Sequence, residues 1–432
     1  MSSTIRLDPT RLASAYAQVR SLTEALAAPL GPEDQCVQSM PDTSPTKWHL
    51  AHTSWFFETF VLDGPGYVRY REGWDFLFNS YYQTVGTMHA RPRRGLLSRP
   101  TVPEILAYRR AVDARVVAAL PSLPADKRAL VELGLHHEQQ HQELILTDIK
   151  HVLSCNPLAP AYRDPGREAH PAEAPALRWV EDPGGLVELG RDQGASADAF
   201  GFDNEGPRHK RWLEPFALAS RLVTCAEYLA FMNDDGYARP ELWLSEGWDV
   251  ILREGWRAPS YWRPPEPGEA WTVFTLDGVR ELDLAAPVCH LSYYEADAFA
   301  RWSGARLPSE AEWEQVAGEL EVAGNLLPTS PKALARASLH PEAARASADS
   351  SGLAQLFGDV WEWTASPYSP YPGYRPPPGA VGEYNGKFMC NQMVLRGGSC
   401  ATPANHVRPG YRNFFAAPSR WQFSGLRLAK DL

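Results

Sequence analysis

The chain contains no CxxC pair, no long basic run and no apolar stretch long enough to cross a bilayer. Each absence removes a class of protein. A membrane-spanning helix needs roughly 20 consecutive apolar residues, and the opening MSSTIRLDPTRLASAYAQ lacks the apolar core of a secretion signal. The six cysteines, Cys36, Cys155, Cys225, Cys289, Cys390 and Cys400, are scattered through 432 residues. That pattern fits reduced thiols in a cytoplasm better than a disulfide framework. With 52 acidic against 42 basic side chains and a formal net charge of −10, the chain is wrong for a nucleic-acid surface. The expectation is a cytoplasmic protein whose partners are small molecules, with neither nucleic acid nor membrane among them.

What the chain does have is 44% hydrophobic residues, 38 prolines and 15 tryptophans. This is material for two cores and points to a loop-rich portion. Helical periodicity dominates residues 1–155, where four helices are expected. They are PTRLASAYAQVRSLTEAL, capped by Asp8 with Pro9 in its first turn; SPTKWHLAHTSWFFETFVL, again opened by Ser and Pro; TVPEILAYRRAVDARVVAAL; and ADKRALVELGLHHEQQHQELILTDIKHVL. With one long excursion over 63–100 they predict a four-helix bundle, a usual home for a metal site. The Pro/Ala-rich NPLAPAYRDPGREAHPAEAPA reads as a linker over 156–176. Beyond it, 177–432 is expected to be a loop-rich α+β domain with helices at TCAEYLAFMND and SYYEADAFARW. The Ala-rich SPKALARASLHPEAARASAD is expected as a surface helix or insertion.

The fourth helix carries His136, His137 and His141 close together. Side chains three or four apart share a helix face, so His137 and His141 can point at one external atom. His136 starts a neighbouring stripe with Gln140 and Glu143, and Gln140 also lies at the edge of the ligand face. Two imidazoles at this spacing are a standard way for a helix to present metal ligands. The alternative is a pair of solvated or hydrogen-bonded histidines. A third ligand would come from KWHLAHTSWFFE, where His49 and His52 are three apart and only one need face inward. His52 joins the apolar face of Trp48, Trp55 and Phe56, although a core histidine satisfied by a carbonyl is the other reading. Three imidazoles leave positions open for water, oxygen or substrate, and they suit zinc as well as iron. Glu143, about 200° around the helix from His141, is expected in an outer layer or in a salt bridge to a neighbouring helix.

The pattern H-x3-H-x-E at His137, His141 and Glu143, preceded by SPTKWHLAHTSWFFE, resembles the DinB-type helical domain of ergothioneine-biosynthetic sulfoxide synthases (EgtB type). In the second half, VTCAEYLAFMN, PVCHLSYYEADAFARWSGARLPSEAEWE, GDVWEW, VLRGGS and GYRNFFAAPSRWQFSGLRLAK resemble, in order, the signatures of the formylglycine-generating-enzyme fold. That C-type-lectin-like fold is the second domain of the same family. The resemblance implies a non-haem iron oxidoreductase with Fe(2+) held by His52, His137 and His141. Its reaction would join hercynine (Nα-trimethylhistidine) to a thiol donor with O2, giving a C–S bond and an S-oxide. It places Gln140 near the hercynine imidazole and Asn413 at the betaine end. Phe414, Phe415 and Trp421 are candidate faces for the trimethylammonium, or else core packing. Arg91 and Arg94 in TMHARPRRG match the family's arginine loop for the donor carboxylate, or else are solvated loop charges.

Two positions depart from the branch that uses γ-glutamylcysteine. Phe415 stands where that branch has an acidic residue, which favours a smaller donor such as cysteine. It is also compatible with a selenosugar, and therefore with a selenoneine synthase forming a C–Se bond. Val381 stands where that branch has its catalytic tyrosine, while Tyr384 matches a non-catalytic one. Tyr81 and Tyr82 in FLFNSYYQTVG look like the substitute of another branch, and either is a sensible proton donor. Sulfatase activation would need a cysteine pair after GGS, where this chain has Cys400 alone. An ovothiol-type enzyme would be expected to continue into a methyltransferase domain. From other classes, the rivals are a zinc-dependent DinB-type thiol transferase and a non-catalytic binding protein.

Overall fold

Asp8 accepts hydrogen bonds from the backbone N–H groups of Thr10 and Arg11, both at 3.0 Å, and so opens helix α1, Pro9–Ala27. The computed structural model describes residues 7–163, 173–192, 199–318, 320–345 and 351–432. Helix α2, Thr46–Phe56, runs on into a π turn, Phe57–Leu62. Ser44 does not cap it. Instead its N–H donates to Asp148 at 2.8 Å and its hydroxyl accepts from Arg94 at 2.9 Å. The excursion after α2 holds a short helix α3, Trp74–Phe78, and a 3-10 turn, Arg91–Leu96. Helix α4, Val102–Ala119, starts at a reciprocal capping box between Thr101 and Glu104. Helix α5, Ala125–Ser154, has 30 residues and is about 45 Å long.

Leu12, Tyr16, Trp48, Trp55, Ile105, Tyr108, Val112, Val131 and Leu135 form one buried cluster that packs α1, α2, α4 and α5 together. Gly134 lets α5 press against the π turn, since a Cβ there would sit 2.5 Å from the Phe57 ring. Inside the cluster, Glu138 is buried between Arg20 at 2.7 Å and Arg109 at 2.9 Å.

The segment expected as linker starts packed: the Tyr162 N–H donates to the Leu276 carbonyl at 2.8 Å, and Arg163 pairs with Asp277 at 2.7 Å. Residues 164–172 lie outside the described residues. Strands begin at Trp179–Asp182. A four-stranded sheet runs in the order Asn413–Phe415, Met393–Arg396, Trp361–Pro367, Ser424–Gly425, with only the last pair parallel. Helices Cys225–Asn233 and Tyr293–Trp302 form where expected, each behind a capping box. Ser245–Glu254 and Glu310–Ala317 are helical against expectation, the second opened by a Ser309–Glu312 capping box inside LPSEAEWE. Of the Ala-rich stretch only Pro331–Leu334 is helical, and Leu334, Leu339 and Ala344 are buried, so it packs as part of the domain; its last residues, 346–349, lie outside the described ones. Among the described residues no helix is long and apolar enough to cross a membrane.

One stripe of α5 joins the two halves. The His136 ring nitrogen lies 3.0 Å from that of His406, Gln139 donates to Asn405 at 2.5 Å, and Gln140 donates to the Tyr411 hydroxyl at 2.7 Å. Glu143 accepts from the Trp361 indole at 2.6 Å and from the Ser399 and Thr402 hydroxyls at 2.8 Å. Its partners are neutral donors from the second domain rather than a cation on a neighbouring helix. Burial raises its pKa while those three hydrogen bonds pull it back.

Candidate metal centre and substrate cleft

His52, His137 and His141 are all buried, and one ring nitrogen from each lies within 4.8 Å of the others. His52 donates its Nδ1–H to the Phe78 carbonyl at 2.6 Å, so its Nε2 lone pair faces His137 Nε2 at 3.2 Å. His141 uses Nδ1 toward His49 Nδ1, at 2.8 Å, which leaves its Nε2 for the centre. Burial, and then the neighbouring imidazoles, hold His52 and His141 well below the usual histidine range. Burial pushes His137 down to about 4. All three are therefore neutral near pH 7. Three neutral imidazoles converging on one point are the donor set a divalent cation completes, and nitrogen-only ligation suits iron(II) and zinc alike. His49, the other histidine on α2, lies one layer out, as the partner of His141.

A cleft of about 230 Å³ lies over this cluster, with walls from both domains. Tyr81, Tyr82, Arg91, Arg94, Gln140, Asn413, Phe414, Phe415 and Trp421 all border it. The loop with the two tyrosines is pinned by Glu383 of the second domain, which accepts from the Gln83 and Thr84 N–H groups at 3.0 Å. Tyr81 has a positive φ of 68°, and its hydroxyl accepts from Arg91. Tyr82 is packed between Trp55 and Phe60, with ring centroids at 5.7 and 5.1 Å, and burial pushes its pKa up. Among the described residues its hydroxyl meets no protein partner. Val381 borders a neighbouring cavity, and Tyr384 borders both.

Arg94 is buried against the Trp48 ring, 3.4 Å from its centroid, and donates to the Ser44 and Ser80 hydroxyls at 2.9 and 2.8 Å. Among the described residues no carboxylate is within ion-pair distance of it, and burial followed by Arg91 lowers its pKa to about 9. Asn413 accepts from the Phe414 N–H at 2.9 Å, leaving its NH2 group for the cleft. Phe414 stacks on Tyr368 at 4.1 Å, and Phe415 meets Trp421 edge-on at 5.5 Å. Trp421 in turn donates to Asp148 at 3.2 Å. Cys400 lies in an apolar cluster with Leu327 and Phe423, and burial pushes its thiol well up.

Residues 15–145 match the DinB superfamily, and residues 167–432 match the sulfatase-modifying factor enzyme 1-like domain. A hercynine oxygenase of Mycolicibacterium smegmatis is 33% identical, with 91% of this chain and 93% of that protein covered. One of Mycobacterium tuberculosis is 32% identical over 98% and 99% of the two chains. The chain belongs to the hercynine oxygenase family. Within that family frame the second domain has its own likeness. The formylglycine-generating enzyme of Mycobacterium tuberculosis is 29% identical, covering 58% of this chain and 97% of that one.

Among the cleft residues that escaped the sequence reading are Ser44, Ser80 and Asp148. Asp148 had a signal, since it lies two turns after His141 and so shares its face. Ser44 looked like a helix cap and Ser80 like part of a loop; nothing local marks either one.

Proposed function

We propose that this chain is a non-haem iron(II) enzyme of ergothioneine biosynthesis that joins the hercynine imidazole carbon to the sulfur of cysteine. The balance is hercynine, cysteine and O2 giving hercynylcysteine sulfoxide and water. One C–H and one S–H bond are lost, a C–S and an S–O bond form, and O2 takes all four electrons. The observation that carries this reading is the convergence of three neutral, buried imidazoles beneath a cleft closed by both domains. Named relatives at about one-third identity along nearly the whole chain point to hercynine as the substrate.

His52, His137 and His141, in the core of a four-helix bundle, would hold the iron, which when bound supplies oxygen activation beside both substrates. Arg94, a desolvated cation whose hydrogen bonds among the described residues go to hydroxyls, receives the donor's carboxylate, with Arg91 at the rim. Gln140 is held by Tyr411 at the edge of the ligand face and orients the imidazole. The Asn413 NH2 group takes the betaine carboxylate, and Phe414, Phe415 and Trp421 give the trimethylammonium its aromatic walls. Tyr82, with its pKa raised by burial and its hydroxyl unclaimed, keeps its proton and can deliver it, while Tyr81 is tied to Arg91 and orients that arginine. Phe415 offers no carboxylate for a γ-glutamyl ammonium, so the donor is free cysteine.

The test is a competition. Iron(II)-loaded protein, hercynine and O2 are mixed with cysteine, γ-glutamylcysteine and a selenosugar, and products are read by mass spectrometry. Hercynylcysteine sulfoxide is expected to dominate. A selenium adduct formed in preference would move the protein to selenoneine synthesis, and the absence of any hercynine-dependent product would overturn the reading.

A further inference from the structure

We infer that His49 and Asp148 are positioning residues for His141, fixing which of its nitrogens faces the metal and making it the strongest donor of the three. This rests on the three-histidine reading above. Asp148 is buried and its Oδ2 accepts from the Ser44 N–H at 2.8 Å and from His49 Nε2 at 3.0 Å; its Oδ1 accepts from the Trp421 indole at 3.2 Å. A carboxylate can only accept, so a proton lies on His49 Nε2, and in the neutral ring His49 Nδ1 is an acceptor. That atom is 2.8 Å from His141 Nδ1, which must then carry the hydrogen and leave Nε2 with its lone pair. The proton positions follow one from another, from carboxylate to ligand.

The other two ligands are treated differently. His52 donates to a neutral backbone carbonyl, at 2.6 Å, and among the described residues His137 Nδ1 is buried with no hydrogen-bond partner. Of the three, His141 is the one joined to a carboxylate through hydrogen bonds among the described residues. A carboxylate acting through an imidazole raises the basicity of the next ring, as a carboxylate hydrogen-bonded directly to a metal-bound histidine does. This accounts for His49, the histidine in KWHLAH that the metal itself does not need.

The experiment compares full-length wild type with His49→Phe, His49→Gln and Asp148→Asn, with His52→Ala as a control. Phenylalanine fills the space without hydrogen bonds. Glutamine restores an acceptor and a donor at about the spacing of the ring nitrogens. Iron(II) affinity by chelator competition and the Fe(III)/Fe(II) midpoint potential are read alongside circular dichroism. H49F is expected to weaken iron binding about 10–100-fold and to raise the potential. H49Q should recover most of both, and D148N should shift both in the same direction by less. Folded H49F with wild-type affinity and potential would overturn the inference, as would equal losses in H49F and H49Q at an unchanged potential. Failure of the underlying reading looks different: H52A would then bind iron as tightly as the wild type.

Discussion

Helix α5 buries two charge-bearing neighbourhoods on adjacent residues and treats them in opposite ways. Glu138 sits between Arg20 and Arg109; Arg20 also reaches Asp113 at 2.7 Å and Ser54 at 2.8 Å, and Arg109 reaches Thr53 at 3.0 Å. Burial would raise the Glu138 pKa, but the two guanidinium groups hold it down to about 2. On the other side, His137 and His141 share the cleft with Arg94, and among the described residues no carboxylate pairs directly with that arginine, Asp148 acting on it only through space. One cluster pairs its charges within the protein; the other gathers three imidazoles and an arginine that a metal ion and an anion would complete. A buried group whose partners are all present belongs to the framework, while one left short marks where a ligand completes the set.

The sharpest way to break this comparison is to change neighbours. His137→Ala is expected to lose bound iron and bring product formation to background, with the apo protein unfolding within about 1 kcal/mol of wild type. Metal analysis and a thermal melt check it, and iron retained at full stoichiometry would sink the contrast. Glu138→Gln should do the reverse. It removes the anion that Arg20 and Arg109 share, leaving Arg20 with Asp113 at 2.7 Å and Arg109 with the more distant Glu24 at 3.6 Å, and costs about 3 kcal/mol by chemical denaturation, while the folded fraction keeps its iron; a neutral result would show that the ion pairs are not framework.

The tyrosine pair repeats the contrast on a smaller scale. Tyr82→Phe is expected to lower kcat about 100-fold or more, because its hydroxyl is the unclaimed one. Tyr81→Phe should act mainly on the KM of the thiol donor through Arg91, and a larger kcat loss in that variant would exchange the two roles. The smallest effect is expected from Arg94→Gln, which removes a charged hydrogen bond. It should raise the donor's KM about 10-fold, leave hercynine's KM alone, and leave apo stability level or higher. Steady-state kinetics with each substrate varied in turn would expose a hercynine effect instead.

Much of this contrast is legible before folding, and the part that is not has a common cause. Capping residues act locally, so Asp8 marks its helix from sequence alone. The four-residue spacing of His137 and His141 is equally local, and so is the neighbouring stripe of His136, Gln140 and Glu143. Periodicity names a face without naming what meets it. Nothing in the stripe says that Trp361, Ser399 and Thr402, more than 200 residues away, receive Glu143. Ser44 shows the same limit in miniature, because a serine before a proline reads as a cap until Asp148 and Arg94 arrive from elsewhere.

Three faces of α5 are committed, to the ion-paired core, to the cleft and to the second domain, and this makes the helix behave like a reading frame. Each residue added turns everything beyond it by about 100°. One residue inserted just before His136 would hand the place of His137 to His136 and that of His141 to Gln140. It would also drop an imidazole between Arg20 and Arg109 where the carboxylate belongs. The edit would be a frameshift of the fold, losing a ligand and a structural anion at one stroke, and drift in chain length has to be absorbed elsewhere.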